Sequence, residues 1–254
     1  MGNEYILELK ELSVSYTPGR PVVKKVSVSI RSNAVTAIIG PPDSGKTTLL
    51  RSINRLHELY PSIKTDGEIR LKGVNIQSLN PIEVRRRIGM VFPNPNVFPN
   101  MDIYTNVLSG YMLNRIPLSK EEKNRIVEEN LKETALWEDV KNSLYKKPHI
   151  LSTQQQQLLC IARAIALKPE IVLMDEPAFS LDSWSNNRIE ELILRLKEKH
   201  TIVIASNNLS QAARISDYTM YLKEGELIEY EATSKLFWNP ADKRTEAFIT
   251  SQTE

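Results

Sequence analysis

Residues Gly40-Pro41-Pro42-Asp43-Ser44-Gly45-Lys46-Thr47 follow the pattern GxxxxGK[ST]. In that spacing, backbone N–H groups and the first turn of a helix surround phosphate oxygens. Lys46 is then placed to reach the outer phosphates and the Thr47 hydroxyl to hold Mg²⁺, and the candidate ATP-binding stretch runs from Gly40 to Thr48. A second candidate is Ile171-Val172-Leu173-Met174-Asp175-Glu176, an apolar run ending in two acids. Asp175 is suited to meet Mg²⁺, and Glu176 to orient or deprotonate an attacking water. Alone, this run has an equally good reading as a strand entering an acidic turn. Beside the loop at Gly40 it gains chemical meaning, because open parallel sheets bring their strand carboxyl ends to one edge.

The elements that must position these residues are legible around them. Apolar and polar residues alternate from Tyr5 to Tyr16 and from Val22 to Ile30, with the turn TPGR between, which predicts a small antiparallel sheet. The apolar run from Ala34 to Ile39 stops at Gly40, and LLRSINRLHELY after the loop has helical spacing, giving strand, loop and helix. Between Pro93 and about Pro169 the spacing turns helical: Asp102 to Leu113, Lys120 to Thr134 and Gln154 to Ala166. Strands resume at Ile171 to Met174 and Thr201 to Ala205, separated by the helical IEELILRLKEK. The expected fold is therefore α/β: a phosphate-loop (P-loop NTPase, RecA-like) core with an N-terminal antiparallel β subdomain and an inserted helical subdomain. We expect one domain over 1–254, with residues 1–92 and 168–254 forming the core and 93–167 the helical part.

Composition narrows the function classes. Lys plus Arg number 33 against 31 Asp plus Glu, a net charge of +2, so no general polyanion-binding surface is indicated. No basic stripe with interleaved aromatics argues for nucleic acid, and Arg85-Arg86-Arg87 reads as a solvated helical face. His57, His149 and His200 lack metal-ligand spacing and read as surface or capping residues. The single cysteine, Cys160, sits in LLCIARAIAL as a small apolar helix residue. No run approaches the roughly 20 apolar residues needed to cross a bilayer, so direct membrane insertion is not expected.

Beyond these motifs the chain resembles the ATP-binding subunits of ABC transporters, and within them those of prokaryotic phosphate importers. INRLHELYP, EVRRRIGMVF, PNVFP, QQQLLCIARAIA, NNLSQAARISDYTMYL, GELIEY and KRTEAFIT carry that resemblance along most of the chain. It implies ATP and Mg²⁺ as cofactors, and a head-to-tail pair with a second copy or a homologous ATP-binding subunit. It also implies transmembrane permease subunits as partners, met near Val97 to Met101, and a peripheral position on the cytoplasmic face of the cell membrane. Tyr16 matches the residue that stacks on adenine, although an exposed strand-end tyrosine reads equally well. Asp182 matches the acid that links the two sites across the dimer, or is a helix N-cap. The signature that contacts the partner's nucleotide falls on Ser152, Thr153, Gln154 and Gln155.

The departures from that family lie at the same positions. LSGGQ is Leu151-Ser152-Thr153-Gln154-Gln155 here, so both glycines that allow close approach to a phosphate are gone. The glutamine expected after MVF is Pro93, the histidine expected before NLSQAAR is Asn207, and the arginine expected after the signature is Leu158. Pro42 and Asp43 stand where small residues are usual; one backbone donor is lost and a carboxylate is brought near a polyanion. The readings left open are a homodimeric transport ATPase, a hydrolysis-impaired subunit pairing with a complete homologue, and a non-transport regulatory ATP-binding protein.

Overall fold

The computed structural model describes residues 4–177 and 183–251, the latter segment in side-chain detail from residue 187. It opens with two long strands, β1 (Tyr5–Thr17) and β2 (Arg20–Arg31), paired antiparallel through a tight turn at Gly19. β4 (Lys64–Leu71) adds to the other edge of β1, and the two-residue β5 (Val74–Asn75) pairs with β4, giving a sheet ordered β2-β1-β4-β5. Leu7 and Leu9 face inward at strand spacing, yet Leu12 and Val14, three and five residues beyond Leu9, face inward too. A register shift between Leu9 and Leu12, with Glu11 at φ 49°, supplies the extra residue that keeps both pairs on the buried face.

The second sheet is mostly parallel. β3 (Val35–Ile39), β6 (Ile88–Val91), β7 (Ile171–Asp175), β8 (Thr201–Ala205), β9 (Tyr218–Lys223) and β10 (Glu226–Ala232) run in the order β10-β9-β3-β8-β7-β6. The β9–β10 pair is antiparallel. β3, β7 and β8 are buried throughout, which is why they read as unbroken apolar runs. Their side chains alternate between two cores. Val35, Ala37, Ile39, Val172, Met174, Ile202 and Ile204 face the helices of one side. Ile38, Ile171, Leu173, Val203 and Ala205 face the antiparallel sheet and the helix α1 (Lys46–Ile53) on the other.

α2 (Pro81–Arg87) precedes β6, and all regular structure between β6 and β7 is helical. It consists of α3 (Ile103–Leu113), α4 (Lys120–Glu133), the single turn α5 (Trp137–Val140) and α6 (Thr153–Ala166). Asp102, Ser119 and Ser152 cap the three long helices; Ser119 with Glu122 and Ser152 with Gln155 form reciprocal capping boxes. The chain then alternates α7 (Ser183–Leu196), β8, α8 (Leu209–Ile215), β9 and β10, and closes with α9 (Thr233–Trp238) and α10 (Lys243–Ser251).

Three local expectations give way. The helix after the phosphate loop ends at Ile53, because Arg55 turns left-handed at φ 59° and its guanidinium reaches the carbonyls of Ile76 and Leu79; a 3₁₀ turn, Leu56–Leu59, follows. His57 and His200 are buried, His57 between the Arg51 carbonyl and the Thr65 hydroxyl, and His200 against the Pro169 carbonyl. Burial holds the His57 ring below its usual pKa. Of the three consecutive arginines only Arg86 is exposed; Arg85 donates to the Arg55 carbonyl and Arg87 to Glu170.

Leu158, where the resemblance leads one to expect an arginine, is completely buried in the helical-side core. Leu158→Ala is therefore expected to lower unfolding stability by about 2–5 kcal/mol, the range for truncating a fully packed leucine. The urea midpoint measures this, with an unchanged denaturant slope showing that compactness is retained.

Candidate functional site

The phosphate loop is wedged between two strands. Gly40, at φ 155°, lies so close to β9 that a Cβ there would stand 2.1 Å from the Leu222 carbonyl oxygen. Gly45, at φ 99°, leaves 2.8 Å between such a Cβ and the Val22 carbonyl oxygen of β2. No side chain fits at either place. Asp43 is also left-handed, at φ 60°, which accounts for the small residue usual there; aspartate tolerates that conformation better than most residues. The Ser44 N–H closes back onto the Pro41 carbonyl at 3.3 Å. The N–H groups of Asp43, Gly45, Lys46 and Thr47 have no acceptor among the described residues and remain for a ligand.

Lys46 is 5% exposed, and its ammonium spans the loop from within, donating to the Gly40 carbonyl at 2.8 Å and the Pro41 carbonyl at 2.9 Å. Burial lowers its pKa, against the opposing pull of Glu176, Asp175 and Asp43. Thr47 Oγ1 donates to Asp175 Oδ1 at 2.8 Å, bringing the end of β7 to the start of α1. Asp175 Oδ2 is buried and has no partner among the described residues; burial pushes this carboxyl above its usual pKa. A hydroxyl beside an orphaned carboxylate oxygen is the hard-oxygen donor pair that suits Mg²⁺. Among the described residues no three His, Cys, Asp or Glu side chains gather in a cluster that could hold a metal.

Glu176 follows at φ 43°, its N–H bound to the Ala205 carbonyl at 3.0 Å. Asn207 Nδ2 donates to Glu176 Oε1 at 2.5 Å. Burial raises the Glu176 pKa, opposed by Lys46, reinforced by Asp175 and opposed again by the Asn207 amide. Glu176, Asn207, Lys46 and Thr47 line a cleft of about 510 Å³ together with Tyr16, Val22, Pro42 and Asp43. Tyr16 is 41% exposed, and its hydroxyl shares a hydrogen bond with Thr48 Oγ1 at 3.1 Å.

Ser152, Thr153, Gln154 and Gln155 do not line this cleft. They start α6: Ser152 Oγ accepts from the Gln155 N–H, the Gln155 side chain accepts from the Ser152 N–H, and Gln155 Nε2 donates to Asp139. Thr153 is exposed there, and Pro93 lies two residues beyond β6. Asp182 falls outside the described residues. Sequence reasoning missed Val22 in the cleft wall, and it missed Gln157, whose amide bonds the Phe92 and Pro177 carbonyls. The only sequence signal for Gln157 is its helical spacing to Cys160 and Arg163.

A glycine-wedged loop capping a helix, with an acidic strand end beside it at the carboxyl edge of a parallel sheet, defines a P-loop nucleotide-binding protein. The family described as "ABC transporter" matches residues 23–179, more than half of the chain, and the chain belongs to that family. It is 48% identical over 253 residues to the phosphate import ATP-binding protein PstB 2 of Bacillus licheniformis, covering 98% of this chain and 90% of that protein. It is 45% identical over 253 residues to the phosphate import ATP-binding protein PstB of Tropheryma whipplei strain Twist, covering 97% of this chain and 98% of that one. Among solved structures, cbiO1 of Clostridium perfringens, described as part of the ABC transporter complex cbiONQ, superimposes with a TM-score of 0.81 at 25% identity, over 99% and 98% of the two chains. The ATP-binding cassette MJ0796, in a dimeric post-hydrolysis state bound to ADP and Pi, superimposes with a TM-score of 0.77 at 29% identity, over 90% of this chain and 99% of that one.

Two outcomes follow from the charges of the cleft. Asp43→Asn keeps a side chain that tolerates positive φ and removes one negative charge, so MgATP is expected to bind about 3- to 10-fold more tightly, with the gain shrinking as salt rises. Titration calorimetry at two ionic strengths measures it. Because folding raises the Glu176 pKa, the folded chain holds that proton to higher pH than the unfolded chain, and stability falls as pH rises above the ordinary carboxylate range. Glu176→Gln is expected to lessen that decline, its thermal midpoint gaining on the parent as pH rises from about 4 towards neutrality.

Proposed function

We propose that this chain is the ATP-binding subunit of an importer for inorganic phosphate, coupling ATP binding and hydrolysis to transport. The observation that carries the nucleotide site is the Thr47–Asp175 bond of 2.8 Å, which unites the phosphate loop and the acidic strand end in one cleft with Lys46 and Glu176. The cargo rests on the phosphate import proteins of which nearly the full length matches this chain at 48% and 45% identity. Bound Mg²⁺ supplies charge neutralisation for the outer phosphates. Thr47 and Asp175 would hold it, and the N–H groups of Asp43, Gly45, Lys46 and Thr47 would grip phosphate oxygens.

Tyr16 offers its ring to the adenine at the mouth of the cleft. Lys46 turns from the carbonyls of Gly40 and Pro41 to the phosphates, and Glu176, with its raised pKa, accepts a proton from water. Ser152 to Gln155, outside this chain's own cleft, face the nucleotide of a second copy or homologous subunit, and Asp182 links the two sites. Transmembrane permease subunits meet the surface near residues 97–101. No helix among the described residues is long and apolar enough to cross a membrane; the likeness to import ATP-binding proteins supports a peripheral place on the cytoplasmic face. We read residues 93–167 as the helical subdomain, and 1–92 with 168–254 as the core, of a single ATP-binding domain.

One observation favours a second reading, in which the subunit binds ATP and turns it over poorly. Asn207, standing for the family histidine, ties up Glu176 Oε1 at 2.5 Å with an amide that carries no transferable proton. The purified chain with Mg²⁺ and ATP separates the readings. A working ATPase loses about 10²-fold or more of its turnover on Glu176→Gln while retaining nucleotide affinity. A basal rate untouched by that substitution sinks the assigned role of Glu176. Binding without turnover supports the second reading, and absence of binding overturns both.

A further inference from the structure

Gln157, one turn into α6, is 1% exposed on an otherwise apolar stretch of helix. Its Nε2 donates to the Phe92 carbonyl at 2.9 Å and to the Pro177 carbonyl at 3.0 Å. The two carbonyls belong to different strand ends. Phe92 is the first residue after β6 and adjoins Pro93; Pro177 directly follows Glu176 at the end of β7. A buried amide that donates to backbone carbonyls of two segments leaving adjacent parallel strands fixes their spacing to within hydrogen-bond tolerance.

The next two positions on the same helix stripe continue the attachment. Cys160 Sγ accepts from the Asn96 N–H at 3.3 Å, and Arg163 Nη1 donates to the Asn96 carbonyl at 2.9 Å while its guanidinium covers the Phe98 ring at 4.8 Å. Residues 157, 160 and 163 fall at i, i+3 and i+6, so residues 92–98 are fastened to α6 over about two turns. Among the described residues, Gln157 is the side chain that joins that segment and the turn after Glu176 to the helix together. Its other end is firm as well: the reciprocal Ser152–Gln155 cap keeps the first turn of α6 from fraying. Ser152 and Gln157 are then separated by about 7.5 Å of rise along one helix axis, so displacement of the first turn is displacement of the Gln157 amide.

We infer that Gln157 is a positioning residue that couples the start of α6 to Glu176, so that engagement of a partner's nucleotide at Ser152–Gln155 shifts the carboxylate in this chain's own cleft. This rests on the paired-subunit reading above. The coupling passes through hydrogen bonds to backbone, so it needs neither the missing signature glycines nor the glutamine replaced by Pro93.

Hydrogen exchange on the full chain, with and without Mg²⁺ and a non-hydrolysable ATP analogue, tests the inference without depending on hydrolysis. In the parent, the nucleotide slows exchange at residues 40–48 and, through the coupling, at 92–98 and at the Glu176 amide, Pro177 having no N–H. In Gln157→Leu and in the isosteric Gln157→Glu, slowing at 40–48 persists, while the nucleotide-induced change at 92–98 and at the Glu176 amide falls by at least about fivefold. A merely structural role predicts faster exchange at 92–98 before nucleotide is added and an undiminished nucleotide-induced change; that result overturns the inference. So does loss of the thermal transition in both variants, which makes Gln157 a stability residue alone. A parent chain that shows no slowing at 40–48 instead refutes the nucleotide-binding reading itself, and the inference falls with it.

Discussion

The site depends on two carbonyl oxygens, those of Leu222 and Val22, closing on positions of the phosphate loop that have no Cβ. With 2.1 Å and 2.8 Å left for a Cβ at Gly40 and Gly45, the loop is clamped between β9 of the parallel sheet and β2 of the antiparallel one. The clamp is possible only because the two sheets share one core with α1, through Ile38, Leu49, Leu50, Val203 and their neighbours. A loop held from both sides presents its free N–H groups in a fixed fan before any phosphate arrives, and such preorganisation is what makes electrostatic stabilisation effective in a partly dry cleft.

Inside that frame the charges are unbalanced. Asp43 and Glu176 line the cleft with Lys46, and Asp175 stands behind Thr47. Burial penalises each charged form: it lowers the pKa of Lys46 and raises those of Asp175 and Glu176. The three groups sit in a state that a polyphosphate with its cation relieves, since the ammonium gains oxygens and Asp175 gains a positive partner. Asp43 is the exception, an added negative charge placed by a backbone conformation that glycine adopts more cheaply.

The departures from the family pattern are absorbed in different ways. Leu158 puts an apolar side chain into the helical-side core in place of a charge, which is consistent packing. Asn207 finds a hydrogen-bond partner in Glu176, through an amide where the family pattern has an imidazole. Pro93 removes a donor, yet its segment is held firmly by Gln157, Cys160, Arg163 and also Asn106, whose side chain brackets Phe98 on both its N–H and its carbonyl. The scaffold around the nucleotide is thus intact where side chains contact backbone and altered where they are expected to contact ligand.

The sequence by itself determined the phosphate loop, the acidic strand end, the alternation of β1 and β2 and the helical stretch between β6 and β7. Each of these is written in local periodicity or in glycine and charge placement, which depend on neighbours a few residues away. It did not show that the helix after the loop stops at Ile53, that His57 and His200 are interior, or that Arg85 and Arg87 turn inward. Those outcomes depend on carbonyls and carboxylates supplied by distant segments, such as Ile76, Pro169 and Glu170. The tertiary structure alone decided that Thr47 meets Asp175 across 128 positions of chain and that one buried glutamine joins two strand ends, because strand order, unlike periodicity, is fixed only when the whole sheet closes.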